Sequence, residues 1–186
     1  MKEQADLRII LKKGILSDEL ELERALIMDR KLRLMVKENP ELVESRKQLR
    51  SIIKAYENLN WSDDTKITDR QIKESDNAEF IAEHERYFLE KRKDVIKEQL
   101  KKFDLTQQDL GKILGHGKSY MSELMNGISP FSNKDLIIIH RLFHIKLEYL
   151  IPTFITQKEK ERLRISLNKI NKPELKLGKD DLIIVQ

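Results

Sequence analysis

Three groupings of residues have the types and spacing to do chemistry. The first is Gly115-His-Gly-Lys-Ser119, which ends like a phosphate-binding loop. That loop needs G-x-x-x-x-G-K-[ST] after a strand, because consecutive backbone amides must cradle the phosphates. Here the leading glycine of the pattern would fall at Lys112, and the segment before it has helical periodicity. Nucleotide binding is therefore set aside. The second grouping is His140 and His144, one helical turn apart, as two metal ligands on one face would be. The chain has no cysteine, and no nearby acid completes a zinc pattern. Both histidines are read as packing beside Phe143, with no metal site expected, and the solitary His84 is read as structural or solvated. The third grouping is a run of donors and acceptors, Lys118, Ser119, Tyr120, Ser122 and Glu123, on one short helix preceded by Gly117. Such side chains suit base edges and phosphates. No G-x-S-x-G occurs, and no carboxylate pair has a reason to lie close, so no catalytic residue is assigned. An enzyme is not expected, nor a cofactor.

The third grouping needs a scaffold, and the flanking sequence supplies one. Thr106-Gln-Gln-Asp109 reads as a hydroxyl N-cap with an acid at N3, opening a helix in which Leu110, Ile113 and Leu114 face a core. Gly115-His-Gly117 breaks that helix, since glycine readily takes the left-handed backbone of a tight exit. A second helix then runs from Lys118 to Met125 with Met121 and Leu124 inward, and Asn126-Gly127 caps it. Ser132-Asn-Lys-Asp135 caps a further helix with Leu136, Ile139, Leu142 and Phe143 inward. Leu147 to Ile151 make a last short one. Two short helices joined by a glycine turn and braced on both sides form a helix-turn-helix. The major groove is about 12 Å wide and admits one α-helix, so the second helix has to be short and exposed, held by a few anchors.

Upstream, Ser17-Asp18-Glu19 starts a helix whose seam is Leu22, Ala25, Met28, Leu32 and Met35. Pro40 opens the next helix, where Leu42, Leu49, Ile52, Ile53, Tyr56 and Leu59 share a face, so the two read as an antiparallel pair. Residues 62–77 lack periodicity and form the linker candidate. Ile81, Phe88 and Val95 then recur at sevenfold spacing, consistent with one long helix over 78–103 or two meeting near 90. After Pro152, Thr156-Gln-Lys-Glu159 has capping-box spacing and heads a charged helix to about Ile170. Leu175-Lys-Leu177 and Leu182-Ile-Ile-Val185 read as strands, the second pairing with the first in a short β-hairpin, with the same segment of a second subunit, or with the sheet edge of a toxin. The expected architecture is all-α: a helical region and linker over 1–77, a five-helix DNA-binding domain with its lead-in over 78–152, and a basic extension over 153–186.

Charge follows this division. Residues 1–90 carry 17 Lys/Arg against 20 Asp/Glu, residues 91–151 carry 11 against 7, and residues 152–186 carry 8 against 5. A basic second half suits a polyanion. The absence of cysteine and of any apolar run near the ~20 residues of a membrane span points to a cytoplasmic protein.

Leu105-Thr-Gln-Gln-Asp-Leu110, the Leu114-Gly115 break, Ser122-Glu-Leu-Met-Asn-Gly127 and Ile139-His-Arg-Leu-Phe143 resemble the helix-turn-helix of phage Cro/C1-type repressors. Within that superfamily the chain most resembles the HigA-type antitoxins, which often carry a helical segment ahead of the DNA-binding domain, ending in something like Leu49-Arg-Ser-Ile-Ile-Lys-Ala-Tyr-Glu57. The resemblance implies that Gln107, beside Thr106 at the head of the first motif helix, anchors a phosphate. It places Gly117, Lys118, Ser119, Tyr120 and Glu123 among the DNA contacts. It also implies a homodimer on double-stranded operator DNA, and a repressor of its own operon that neutralises a RelE/HigB-like toxin. Two other readings stand beside it: a stand-alone regulator with a dimerising or sensing N-terminal region, and a protein-interaction adaptor that has lost DNA binding.

Overall fold

The computed structural model describes residues 4–152, 154–170, 172, 174–175 and 183–185. Among these, eight α-helices account for most of the chain: α1 Leu7–Lys13, α2 Glu19–Met35, α3 Leu42–Asn60, α4 Asp69–Lys102, α5 Gln107–Leu114, α6 Lys118–Asn126, α7 Asn133–Phe143 and α8 Gln157–Ile170. Short 3-10 turns lie at Asp64–Lys66 and Leu147–Tyr149.

The first helix is held at both ends. The Asp6 side chain accepts from the Arg8 amide at 2.9 Å, and Gly14 leaves α1 in the left-handed conformation with φ 72°. Asp18 caps α2 in the same way. Helices α2 and α3 run antiparallel, as polar contacts at opposite ends show. Tyr56 donates to Glu19 at 2.9 Å, while Arg46 donates to Asp29 at 2.8 Å. Burial pushes the Tyr56 phenol up from its ordinary value, and its bond to Glu19 adds to this. Between the two helices lies a core containing the whole Leu22–Met35 seam together with Leu42, Leu49, Ile52 and Ile53. Leu32 and Leu49 are fully buried. Each such side chain stabilises the fold by roughly 1.5–3 kcal/mol relative to exposure. Leu59, assigned to the same face, is exposed instead.

A single helix, α4, connects this core to the next. It begins at Asp69, so much of the expected linker is helical, and the connection shortens to the residues around the Asp64–Lys66 turn. Its first half packs on α2, where Ala78, Ile81 and Ala82 are buried and the Arg24 guanidinium is bound by Glu85. Its second half sends Ile96 and Leu100 into a second core with Leu110, Met121, Leu124, Leu136, Ile139, Phe143 and Leu150.

Several expectations are corrected. Ile113 and Leu142, assigned to the core, are 45% exposed each, because α5 and α7 bury narrower stripes than their apolar content suggests. Residues 147–151 supply a 3-10 turn rather than an α-helix. The expected C-terminal hairpin does not form as drawn: β2 (Ile183–Val185) pairs in parallel with β1 (Phe154–Thr156) across α8, in register from Phe154–Ile183 to Thr156–Val185. A parallel partner requires a crossover, and α8 is that crossover. The residues from 176 to 182, which include the other arm of the expected hairpin, lie outside the described residues. The two cores also meet at Ile128, which follows α6 yet is fully buried in the N-terminal core.

Candidate nucleic-acid interface

The head of α5 is a completed capping box. Thr106 Oγ1 donates to Asp109 at 2.6 Å and accepts from the Asp109 amide at 3.2 Å, while the Thr106 amide donates to the same carboxylate at 3.0 Å. The Thr106 hydroxyl, its backbone N–H and then Lys112 hold the Asp109 carboxyl down at about 2. Thr106 is thus committed to the cap. Gln107, half-buried, occupies the first turn, where the positive end of the helix dipole favours an anion.

Gly115 turns the chain out of α5 with φ 77°, and Gly117 begins α6 without a side-chain cap bond. Three of the nine α6 residues, Met121, Leu124 and Met125, fix it to the core. At 100° per residue, Ser119, Glu123 and Asn126 lie on the side of α6 away from those anchors. That is the face a groove would receive, and Lys118 stands exposed at its leading edge.

The groove-facing side is not bare. Ser119 Oγ donates to Glu41 Oε1 at 2.6 Å, from the turn between α2 and α3. Glu123 is only 8% exposed; its Oε2 accepts from Ser129 Oγ at 3.2 Å and from the Arg8 guanidinium of α1 at 3.4 Å. Burial pushes the Glu123 carboxyl up, with Arg8 and Ser129 pulling against it and Asp6 adding to it. Arg8 also lies over the Tyr120 ring, 4.3 Å from its centroid. The Asn126 carbonyl accepts from Lys31 Nζ of α2 at 3.0 Å, and its side-chain oxygen accepts from Lys93. Burial lowers both lysines from their ordinary value. The α1 backbone joins in as well, with the Leu7 amide donating to the Ile128 carbonyl at 3.1 Å.

All eight residues picked from the sequence therefore sit on α5, α6 or their caps, in graded exposure. Thr106, Gly117 and Lys118 are exposed; Gln107, Ser119, Tyr120 and Ser122 are half-buried; Glu123 is buried. Sequence reasoning missed Arg8, Glu41 and Lys31, which approach α6 from far along the chain. A capped helix was readable in Asp6 to Gly14, but no local pattern says where it docks. His116 was also missed: its Nε2 lies 3.0 Å from Asp135, and its ring meets Tyr120 edge-on at 5.1 Å. His140 bonds the Ile145 carbonyl at 2.6 Å, and no group of metal-ligating side chains occurs among the described residues.

The protein-family model described as Helix-turn-helix matches residues 96–150. This segment is a helix-turn-helix domain. Its limits coincide with the second core, from Ile96 in α4 to Leu150 after the last 3-10 turn. The match supports a DNA-binding transcriptional regulator. No curated protein and no solved structure shows significant similarity to the chain. None of the described helices is long and apolar enough to cross a membrane.

Proposed function

We propose that the protein is a transcriptional repressor that binds operator DNA through α6 and acts as a homodimer on two half-sites. Lys118 approaches the bases or the adjacent phosphate, Gln107 holds a phosphate at the head of α5, and Ser119, Tyr120, Ser122 and Glu123 complete the contact surface. The observation that carries this reading is the capped, glycine-broken α5–α6 pair within the span matched by the family model. As its cellular setting we read the antitoxin of a type II pair with a RelE/HigB-like toxin, on the resemblance of the 105–143 motifs. A stand-alone regulator is the second reading, favoured by the contact of the N-terminal helices with α6.

Gel shift on the DNA upstream of its own gene tests the proposal. Lys118→Ala weakens binding by about 1–3 kcal/mol and relaxes preference at one base pair if the lysine reads a base, or weakens all sequences evenly if it meets phosphate. An unaltered shift from a folded Lys118→Ala protein refutes the assignment. Copurification with the product of the neighbouring gene tests the antitoxin setting.

A further inference from the structure

We infer that the N-terminal helices are a built-in cover for the recognition helix, so that this structure is the closed form and operator binding requires α1 and the α2–α3 turn to move off α6. The inference rests on reading α6 as the DNA-contacting helix. Along the face opposite the core anchors, every third or fourth residue is occupied from the N-terminal region: Ser119 by Glu41, Glu123 by Arg8, and the Asn126 carbonyl by Lys31. Tyr120, beside them, lies under the Arg8 guanidinium. A major groove encloses the exposed side of the helix it receives, with phosphates along both rims. Side chains within hydrogen-bond distance of that side fill the space the bases need. Charge argues the same way, because Glu41 stands where DNA would bring negative phosphates.

The edge of the cover over Tyr120 and Glu123 is lightly held: the Arg8 side chain is 60% exposed, and exposed ion pairs and cation–π contacts are individually modest. The carboxylate it holds, Glu123, is buried at a cost that Arg8 and Ser129 only partly offset. DNA and the N-terminal region compete for one surface, and apparent affinity falls by the fraction of molecules that are open.

The test uses the full chain. The double substitution Arg8→Ala/Glu41→Ala removes one positive and one negative charge, so the net charge stays the same and non-specific attraction to DNA is unaltered. Its operator affinity rises about tenfold over wild type, as expected when two modest contacts of the closed form are lost. The opposite perturbation locks the cover. Leu7→Cys/Ile128→Cys offers a cross-link between segments whose backbones are hydrogen-bonded at 3.1 Å, in a chain with no other cysteine, and circular dichroism of the reduced form must first show it folded despite two core truncations. The oxidised protein fails to shift DNA that its reduced form shifts. An oxidised form that binds as tightly as the reduced form overturns the inference, as does a double variant that binds no better than wild type. A DNA-free measurement keeps this separate from the proposed function. Maleimide labelling of Ser119→Cys is at least tenfold slower in the native chain than in urea, and it accelerates with Arg8→Ala/Glu41→Ala. Labelling at the urea rate overturns the cover whatever the gel shows. Protected labelling without DNA binding by any variant supports the cover and refutes the operator.

Discussion

Substituting alanine at Gly127 probes how tightly the end of α6 is set into the fold. Gly127 closes α6 in the left-handed conformation with φ 69°, where a Cβ costs about 1–2 kcal/mol. A Cβ built there lies 2.8 Å from Leu89 Cδ1 and 3.4 Å from Leu89 Cγ, so the α4 leucine has to leave its rotamer. That adds about 1 kcal/mol or somewhat more. Gly115→Ala is the control, with φ 77° but nothing within 4 Å of the added Cβ. It carries the backbone term alone. Urea denaturation followed by circular dichroism therefore gives losses of about 1–2 kcal/mol for Gly115→Ala and about 2–3 kcal/mol for Gly127→Ala. Each kcal/mol lowers Tm by about 2–4 °C at this chain length. Leu89→Ala removes the crowding atoms, so adding it to Gly127→Ala gives a double mutant more stable than the sum of the singles, with a coupling of about 1 kcal/mol. Equal losses for the two glycine variants, or additive behaviour with Leu89→Ala, refute the claim that α4 presses on the exit of α6.

Two further outcomes follow from the packing. Ile128→Ala, at a fully buried site, costs about 2–5 kcal/mol, and Trp61 fluorescence, a reporter of the N-terminal helices, follows the same unfolding curve as circular dichroism; separate transitions for the two signals contradict the shared core. Asp109, held at about 2 in the folded state, lies below its ordinary 3.8, so its cap adds stability above about pH 4 and loses it as pH falls toward 2. Asp109→Asn accordingly removes part of the acid dependence of stability between those limits, and an unchanged dependence counts against the capping box.

The helix-turn-helix was legible because its signals are local. Thr106 with Asp109, and Ser132 with Asp135, announce two helix starts, and both capping boxes form. Gly115 and Gly127 mark two exits, and both are left-handed. Met121 and Leu124 were recognisable as anchors because a short helix with one apolar stripe has a single way to sit on a core. The state of the opposite face was not legible. Glu123 looks solvent-facing by spacing, but its burial comes from Arg8, more than a hundred residues away, and sequence periodicity carries no information about such a partner. The N-terminal seam was equally clear, yet its reach past Gly127 to Ile128 was hidden, since an isolated isoleucine after a cap fits either core. The C-terminal strand was read correctly as apolar and extended, but hydrophobicity does not choose between an adjacent arm and a strand reached across a helix.

The length of α4 has a consequence of its own. Its 34 residues make a rod about 50 Å long, with the N-terminal core packed near Ala82 and the helix-turn-helix core packed from Ile96 onward. Each residue between those points turns the rod by about 100°, so the angle at which Arg8 and Glu41 meet α6 depends on how many residues lie there. Removing one residue there swings the N-terminal helices about a quarter of the way round the rod, away from α6. Removing seven nearly restores the angle but draws the two ends together by about 10 Å, enough to carry Arg8 past Tyr120. In the charged segment Glu90-Lys91-Arg92-Lys93-Asp94 the exposed Glu90, Lys91 and Asp94 are open to exchange, whereas Arg92 is buried, Lys93 bonds Asn126, and the length itself is fixed, like the spacing of teeth on a key.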